Sequence, residues 1–354
     1  MQAAIEAWSH GASLIAWLRD GGGYVNSKLV IGTSRAFQDG GVTGVFVREG
    51  ERVEPNELLA VIPPGRMLAG RFCALLAQLE RELDLADGSR FAPYLEGIRR
   101  TFDPPAPTLP EYWHDETKAL LADLPPYDLE RHEKAYGHYC KPQTKAGSKW
   151  SESPDRWLQG RRALLLTITR AIDRIGGRTM APLFDSFNHC AGDCNNLVVS
   201  DATNRSLLLT ARTRTSGGAQ LFNYYPMAAP ELLQDYGFVS GLGRAEWHFG
   251  RRAGGQRHAF AVEDGRFECT HGCEPSSLMQ SATALVQTVG ERIVSAEGLQ
   301  RRLVGHVTEG GLTLAHVTKG AEVDLAMRYL QAMRAALELA VEWAREKEAA
   351  RTEL

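Results

Sequence analysis

The chain has 354 residues, with 40 Lys and Arg against 43 Asp and Glu, a net charge of −3, and 44% hydrophobic against 23% charged residues. A length of this order corresponds to about two domains at ~100–200 residues each. The balance is that of a folded globular chain; it excludes a disordered one and argues against a protein held mainly by nucleic-acid phosphates, whose composition would show a strong basic bias.

The N-terminal stretch mixes acidic with periodic apolar residues, so it reads as folded structure and not as a removed signal. Ile5, Trp8, Ala12, Ile15 and Leu18 recur at helical spacing and stop at Gly21, Gly22 and Gly23, which predicts an amphipathic helix within residues 1–23. Over 24–64 the texture changes to short β-branched and apolar runs punctuated by Gly and Pro, the signal of strands. Helical spacing returns with Phe72, Leu75, Leu76, Leu79 and Leu83, is broken by the Pro-rich stretch 102–107, and resumes with Tyr112, Trp113, Leu120, Leu121 and Leu124. A polar segment over 141–155 reads as a loop, and 161–175 reads as a helix ending at Gly176 and Gly177. Residues 67–177 are thus expected as a helical block inserted between two strand-rich segments, the second of which covers 179–241.

Beyond 241, residues 246–249 and 258–262 read as a hairpin around an Arg/Gly-rich stretch. The tail is helical: Val323, Met327, Leu330, Met333, Leu337, Val341 and Ala344 form a stripe near period 3.5. The stripe is expected to pack on a partner helix in the same domain; a coiled-coil dimer seam is the sharper alternative. No run approaches the ~18 apolar residues of a membrane span, so no membrane partner is expected. Six cysteines are too sparse for a disulfide scaffold, which predicts reduced thiols and a reducing compartment, the cytoplasm first, with nucleus and plastid as the other candidates. Cys190, Cys194, Cys269, His271 and Cys273 also invite a zinc reading, although their spacing departs from C-x-x-C forms; thiols without metal are the default.

Two segments carry the chemistry. The first runs from Met180 to His189 and sets Asp185, Asn188 and His189 in an apolar strand-to-turn context, where buried amides and imidazoles must find hydrogen-bond partners. By itself it also fits a structural turn. The second begins Gln220, Leu221, Phe222, Asn223, Tyr224, Tyr225, Pro226 and continues through Leu232, Leu233, Tyr236, Gly237 and Phe238.

In this order the two segments resemble the SET-domain methyltransferases, in particular the Rubisco large-subunit lysine methyltransferase type. That family has P-x-x-D-x-x-N-H, matched by Pro182, Asp185, Asn188 and His189, followed by a strand-end Tyr and L-L-x-x-Y-G-F. Gly44, Val45, Phe46 and Val47 resemble its opening strand; Ser89 to Leu95, Leu109 to Trp113 and Thr169 to Ile172 resemble three further motifs, and together these cover about residues 1–240. The resemblance implies an α+β fold: a SET β-fold with pseudoknot-like C-terminal motifs over 1–240, interrupted by the helical insert, then a mainly helical substrate-binding domain over 241–354.

It also implies S-adenosylmethionine as methyl donor and a protein lysine, non-histone in view of the near-neutral charge, as acceptor. Histidine or a small amine is the alternative acceptor, and a SET-fold binding module without activity the alternative of another class. By position, Asn188 and His189 would hold the cofactor's amino-acid end, Tyr236 would line the methyl-transfer channel, and Asp185 would support the site. Thr169, Arg170 and the loop containing Asp39, Gly40, Thr43 and Gly44 would touch cofactor. The catalytic strand-end Tyr is Tyr224 by spacing to Tyr236, or Tyr225 by the family's F-x-x-Y. A monomer is expected, with no direct nucleic-acid binding. The sequence departs from the family at Ala219, which stands where the family has Glu, and at Pro226, close to where it has Gly.

Overall fold

The computed structural model describes residues 5–7, 9–34, 42–102, 109–125, 128–140, 163–174, 177–240, 243–249, 257–310 and 314–352. In chain order come β1 (Ile5–Ala7), α1 (Ser9–Asp20), β2 (Tyr24–Val25), β3 (Leu29–Ser34), β4 (Val42–Val47), β5 (Arg52–Val53), β6 (Leu58–Ile62) and β7 (Leu68–Gly70). The insert follows with α2 (Phe72–Leu85), α3 (Ala92–Phe102), α4 (Asp115–Lys118), α5 (Arg131–Ala135) and a helix, α6, described over 163–170. Strands return as β8 (Ala171–Arg174), β9 (Gly177–Met180), β10 (Asn188–His189), β11 (Leu197–Asp201), β12 (Leu207–Ala211), β13 (Thr215–Ser216) and β14 (Gln220–Asn223). The chain ends with α7 (Ala229–Tyr236), β15 (Ala245–Phe249), β16 (His258–Glu263), β17 (Arg266–His271), α8 (Pro275–Gly310) and α9 (Leu314–Thr352).

Two compact units result, residues 1–103 with 132–225, and residues 104–131 with 226–354. This division does not follow the expected boundary at 240/241. Part of the helical insert counts with the C-terminal unit because Trp113, Leu120, Leu121 and Leu124 bury in that unit's core.

The first unit is built on small sheets ordered β1-β3-β4-β14-β10, β11-β12-β6-β2, β13-β5 and β7-β9-β8. Alternate residues share a face: Leu29 and Ile31 of β3 and Val45 and Val47 of β4 enter one core, which Leu59 and Ile62 of β6 join, while Val30 and Phe46 are buried on the opposite face. Helices add stripes to it: Leu14, Ile15 and Leu18 on α1, Leu75, Leu76, Leu79 and Leu83 on α2, and Tyr94, Leu95 and Ile98 on α3. Each fully buried Leu among these contributes ~1.5–3 kcal/mol.

Three local expectations are corrected. Ile5 fits the helical stripe by spacing, yet Ile5, Glu6 and Ala7 pair with Ser34, Thr33 and Gly32 of β3, so the helix starts only at Ser9. An open strand edge offers backbone partners that spacing cannot reveal. The end is as expected: Gly23 N–H bonds to Leu18 C=O at 3.0 Å, and a Cβ on Gly23 would come within 2.8 Å of that oxygen. Residues 171–174, expected as the end of a helix, are β8, and both edges of the insert join in β7-β9-β8. The polar segment 141–155 lies outside the described residues.

The cysteines are the third correction, since all six pair: Cys73–Cys140, Cys190–Cys194 and Cys269–Cys273, with Cα separations of 5.2, 5.8 and 5.9 Å. The compartment argument built on reduced thiols loses its basis. With both CxxxC pairs closed on themselves, their sulfurs are not available as zinc thiolates, and no cluster of three or more metal-ligating side chains occurs among the described residues.

The second unit is less uniformly helical than expected. The predicted hairpin forms, with Glu246 opposite Ala261 and Phe249 opposite His258, but a third strand, β17, extends it. α9 packs on this sheet at β17 and on α8; α8 and α9 have 36 and 39 residues, or ~54 and ~58 Å at 1.5 Å per residue. Val323, Leu330, Met333, Leu337, Val341 and Ala344 bury within this unit's core beside Leu278, Ala282, Val289 and Leu299 of α8, so the period-3.5 stripe packs inside the chain instead of forming a dimer seam. Phe267 of β17 and Trp343 of α9 stack at 5.0 Å, and Tyr329 donates to the Pro125 carbonyl at 2.5 Å. No described helix is long and apolar enough to cross a membrane.

Candidate active site

The two segments singled out in the sequence meet as strands of the first unit. β10 pairs with β14 in parallel, Asn188 opposite Phe222 and His189 opposite Asn223, and Cys190 N–H extends the ladder to Asn223 C=O at 2.8 Å. Parallel neighbours need a long crossover, here the stretch carrying β11 to β13. Tyr225, just past β14, is held at two points: its N–H donates to His189 Nδ1 at 3.0 Å and its hydroxyl to Phe187 C=O at 2.8 Å. Its ring centroid lies 5.2 Å from the His189 imidazole, and that of Tyr224 5.9 Å. Because Nδ1 accepts, the ring proton of neutral His189 sits on Nε2. Burial depresses the His189 pKa from 6.5 to about 4, so the ring carries no charge at pH 7.

Asp185 lies on a single 3-10 turn, Phe184–Ser186, reached through Leu183 at φ 71°. With ψ at −47° Leu183 lies in the rare γ-turn region, a strain of roughly 1–3 kcal/mol, and its fully buried side chain offsets that. The Asp185 side chain is only 2% exposed; its Oδ2 accepts from the Tyr94 hydroxyl at 2.6 Å and pairs with Arg170 Nη1 at 3.3 Å, while Arg170 Nη1 also donates to the Asp185 carbonyl at 3.2 Å. Burial raises the Asp185 pKa, and Arg170 together with the Tyr94 bond opposes this. Tyr94 is pushed well up, by burial first and then by the Asp185 charge.

Thr43, Arg170, Asp185 and Asn188 line a cavity of about 240 Å3, together with Ser186, His10 and Leu14 of α1, Ile31 of β3, and Tyr94 and Ile98 of α3. Asn188 Nδ2 donates to Thr43 C=O at 2.7 Å, which leaves Oδ1 as the acceptor this residue has to offer a ligand. Beside it, Gly44 permits a close approach: a Cβ there would overlap the Gln220 carboxamide and lie 3.2 Å from Asn188 Nδ2.

Of the residues expected from sequence, Thr43, Gly44, Arg170, Asp185, Asn188, His189, Tyr224 and Tyr225 gather in this unit, the first six at or beside the cavity and the tyrosines against His189. Thr169 is next to Arg170 but bonds its hydroxyl to Leu165 C=O at 2.8 Å and does not line the cavity. Asp39 and Gly40 lie outside the described residues. Tyr236 ends α7 in the second unit, edge-on to Phe238 at 6.2 Å, with Gly237 at φ 70° closing the helix. Sequence reasoning missed His10, Leu14, Ile31 and Ile98 as cavity walls and Gln220 as a neighbour of Gly44. Spacing marks the apolar ones only as core positions, no pattern marks His10, and Gln220 opens the second segment without a role of its own.

This architecture defines the class: the fold is that of the SET domain, over nearly the whole chain. Among solved structures, it is similar to Rubisco LSMT bound to AdoMet (TM-score 0.53, 14% identity, covering 96% of this chain and 94% of that one). It is similar also to the SET domain of LSMT bound to lysine and AdoHcy (TM-score 0.55, 14% identity, 98% and 93% covered) and to Rubisco LSMT bound to sinefungin and monomethyllysine (TM-score 0.54, 14%, 98% and 94%). No protein-family model matches the sequence, and no curated protein matches it at a significant level.

Proposed function

We propose that the chain is an S-adenosylmethionine-dependent N-methyltransferase acting on a lysine side chain of a non-histone protein. The observation that carries this reading is the parallel pairing of β10 with β14, which sets Asn188 and His189 beside Tyr224 and Tyr225. It is supported by a fold similar to that of solved proteins holding AdoMet, or AdoHcy with lysine.

The residues present suit that cofactor. The cavity of about 240 Å3 suits the polar end of such a molecule, whole drug-sized ligands filling ~300–1,000 Å3. Asn188, Thr43 and Arg170 would hold that end. Bound there, S-adenosylmethionine supplies an electrophilic methyl on a cationic sulfur.

The chain's own contribution is orientation and charge control. Neutral His189 adds no second cation, and its Nδ1 fixes the Tyr225 backbone. With its proton directed at Phe187 C=O, the Tyr225 hydroxyl offers only lone pairs outward, so it accepts from a substrate amine and orients it. A lysine with a reference pKa of ~10.4 must lose a proton to react, which costs ~4–5 kcal/mol at pH 7; a desolvated site next to a cation lowers that cost. Tyr225 is the catalytic tyrosine in this reading, and Tyr224 packs on His189.

The test is calorimetry with S-adenosylmethionine followed by incubation of the protein with labelled cofactor and varied lysates. Micromolar binding and label on protein lysines are expected, with Tyr225→Phe lowering turnover roughly 10²-fold while leaving cofactor affinity unchanged. Label on histidine or on a small amine overturns the acceptor assignment, and absence of binding overturns the reading as a whole.

A further inference from the structure

The buried face of α1 carries Leu14, Ile15 and Leu18. One turn before Leu14 on that face stands His10, half-buried, an imidazole at a position where the helical stripe calls for an apolar side chain. Breaks of this kind in an otherwise consistent pattern concentrate at functional sites. His10 lines the cavity of about 240 Å3 that Arg170, Asp185 and Asn188 also line. α1 packs on β3 and α3, and their contributions to the lining, Leu14, Ile31 and Ile98, are mostly apolar. Besides His10, the described lining residues of these three elements include one polar side chain, Tyr94, and its hydroxyl is given to Asp185.

α3 makes room for the ring. The Nε2–Cδ2 edge of His10 lies over Gly97, where a Cβ would stand 3.2 Å from Cδ2 and 3.6 Å from Nε2. Glycine inside a helix is unfavourable relative to alanine, and an alanine at this position would press on the imidazole.

The charges of the cavity explain what such a ring would do there. Arg170 is paired with Asp185 at 3.3 Å, so the two largely cancel. A zwitterionic amino-acid end brings one ammonium and one carboxylate into this space. Asn188 Oδ1 suits the ammonium, since its Nδ2 is directed at Thr43 C=O. The carboxylate meets an arginine whose charge is already balanced, and a further N–H donor then decides how firmly it is held. An imidazole supplies one in either protonation state.

We infer that His10 is a cofactor-binding residue whose imidazole, set into the cavity wall over Gly97, donates to the carboxylate of the methyl donor's amino-acid end. The inference rests on the methyl-donor reading above and adds to it a contact from α1.

The experiment is calorimetry on the full chain with S-adenosylmethionine and with decarboxylated S-adenosylmethionine, which keeps the sulfonium and the ammonium and lacks the carboxylate. The parent is expected to bind S-adenosylmethionine at least about tenfold more tightly; equal affinities overturn the inference, a result that needs no variant to fold. His10→Leu, which suits the apolar stripe, is expected to weaken S-adenosylmethionine about tenfold, the effect of one lost hydrogen bond to a charged group, and the decarboxylated ligand by less than about twofold. His10→Gln, which keeps an N–H donor, should recover roughly half of that loss or more. Equal weakening of both ligands by His10→Leu, or a Gln variant as weak as the Leu variant, assigns the effect to packing and overturns the role. If the parent binds neither ligand, the methyl-donor reading fails first and this one with it, whereas a parent that prefers S-adenosylmethionine with an indifferent His10→Leu removes only the role of His10.

Discussion

At the scale of residues, the site combines groups whose charge is suppressed with one ion pair that is retained. His189 is neutral because burial disfavours the imidazolium, and Tyr225 depends on that neutrality, since a protonated Nδ1 donates and cannot accept from Tyr225 N–H. The folded-state pKa of about 4 lies below the unfolded value of 6.5, so across that window the unfolded chain binds more protons. Stability from this group is complete above about pH 6.5 and is lost as pH falls towards 4. Melting curves from pH 7 to pH 4 should therefore show a loss that His189→Gln, which keeps an acceptor, reduces; parallel curves for the two proteins would exclude the linkage. The Asp185–Arg170 pair follows the opposite logic. Removing Arg170 alone would strand a carboxylate that is 2% exposed, at a cost typical of broken buried pairs, about 3–5 kcal/mol.

At the scale of elements, hydrophobic periodicity explains the long helices, and pairing explains what periodicity got wrong. The α9 stripe is legible in sequence because a repeat of 3 and 4 leaves one apolar face from Val323 to Ala344 of the 39-residue helix. Residues 5–7 and 171–174 were misread because three- and four-residue strands carry too little pattern to compete with a neighbouring helix. Cys73 at the start of α2 and Cys140 at the end of the π-helical turn Tyr136–Cys140 are 67 residues apart in sequence, and their disulfide ties the two ends of that span together. A closed loop of this length restricts the unfolded chain by on the order of 4 kcal/mol. Cys73→Ser with Cys140→Ser is expected to lower the melting temperature under oxidising conditions and to abolish most of its dependence on dithiothreitol. A parent protein indifferent to dithiothreitol would show that this bond is not formed in solution.

At the scale of the whole molecule, unit membership and chain order part company. Residues 104–131 leave the first unit's segment of chain and count with residues 226–354, where Trp113 is 2% exposed and Leu124 fully buried. A fragment ending at residue 240, the boundary that motifs suggest, would lose the sheet and helices that cover those side chains. It is expected to bind hydrophobic dyes strongly and to aggregate, whereas a fragment that also deletes 104–131 should do so less. Equal dye binding by the two would mean that the segment finds cover elsewhere.

The amino-acid sequence by itself determined the α+β class, the helical insert and the α9 stripe, and it marked the candidate site residues. Asp185, Asn188, His189 and the tyrosine pair are close along the chain within two short segments, and their residue types are unusual for apolar strands. Only the tertiary structure decided how those segments meet, which insert residues serve the second core, and that six sparse cysteines pair. It alone placed Tyr94 on Asp185 and Gln220 over Gly44. Apart from the two disulfides that join cysteines four residues apart, each of these is a contact between residues far apart in sequence, governed by strand pairing and packing, whereas periodicity and motif spacing report only neighbours along the chain.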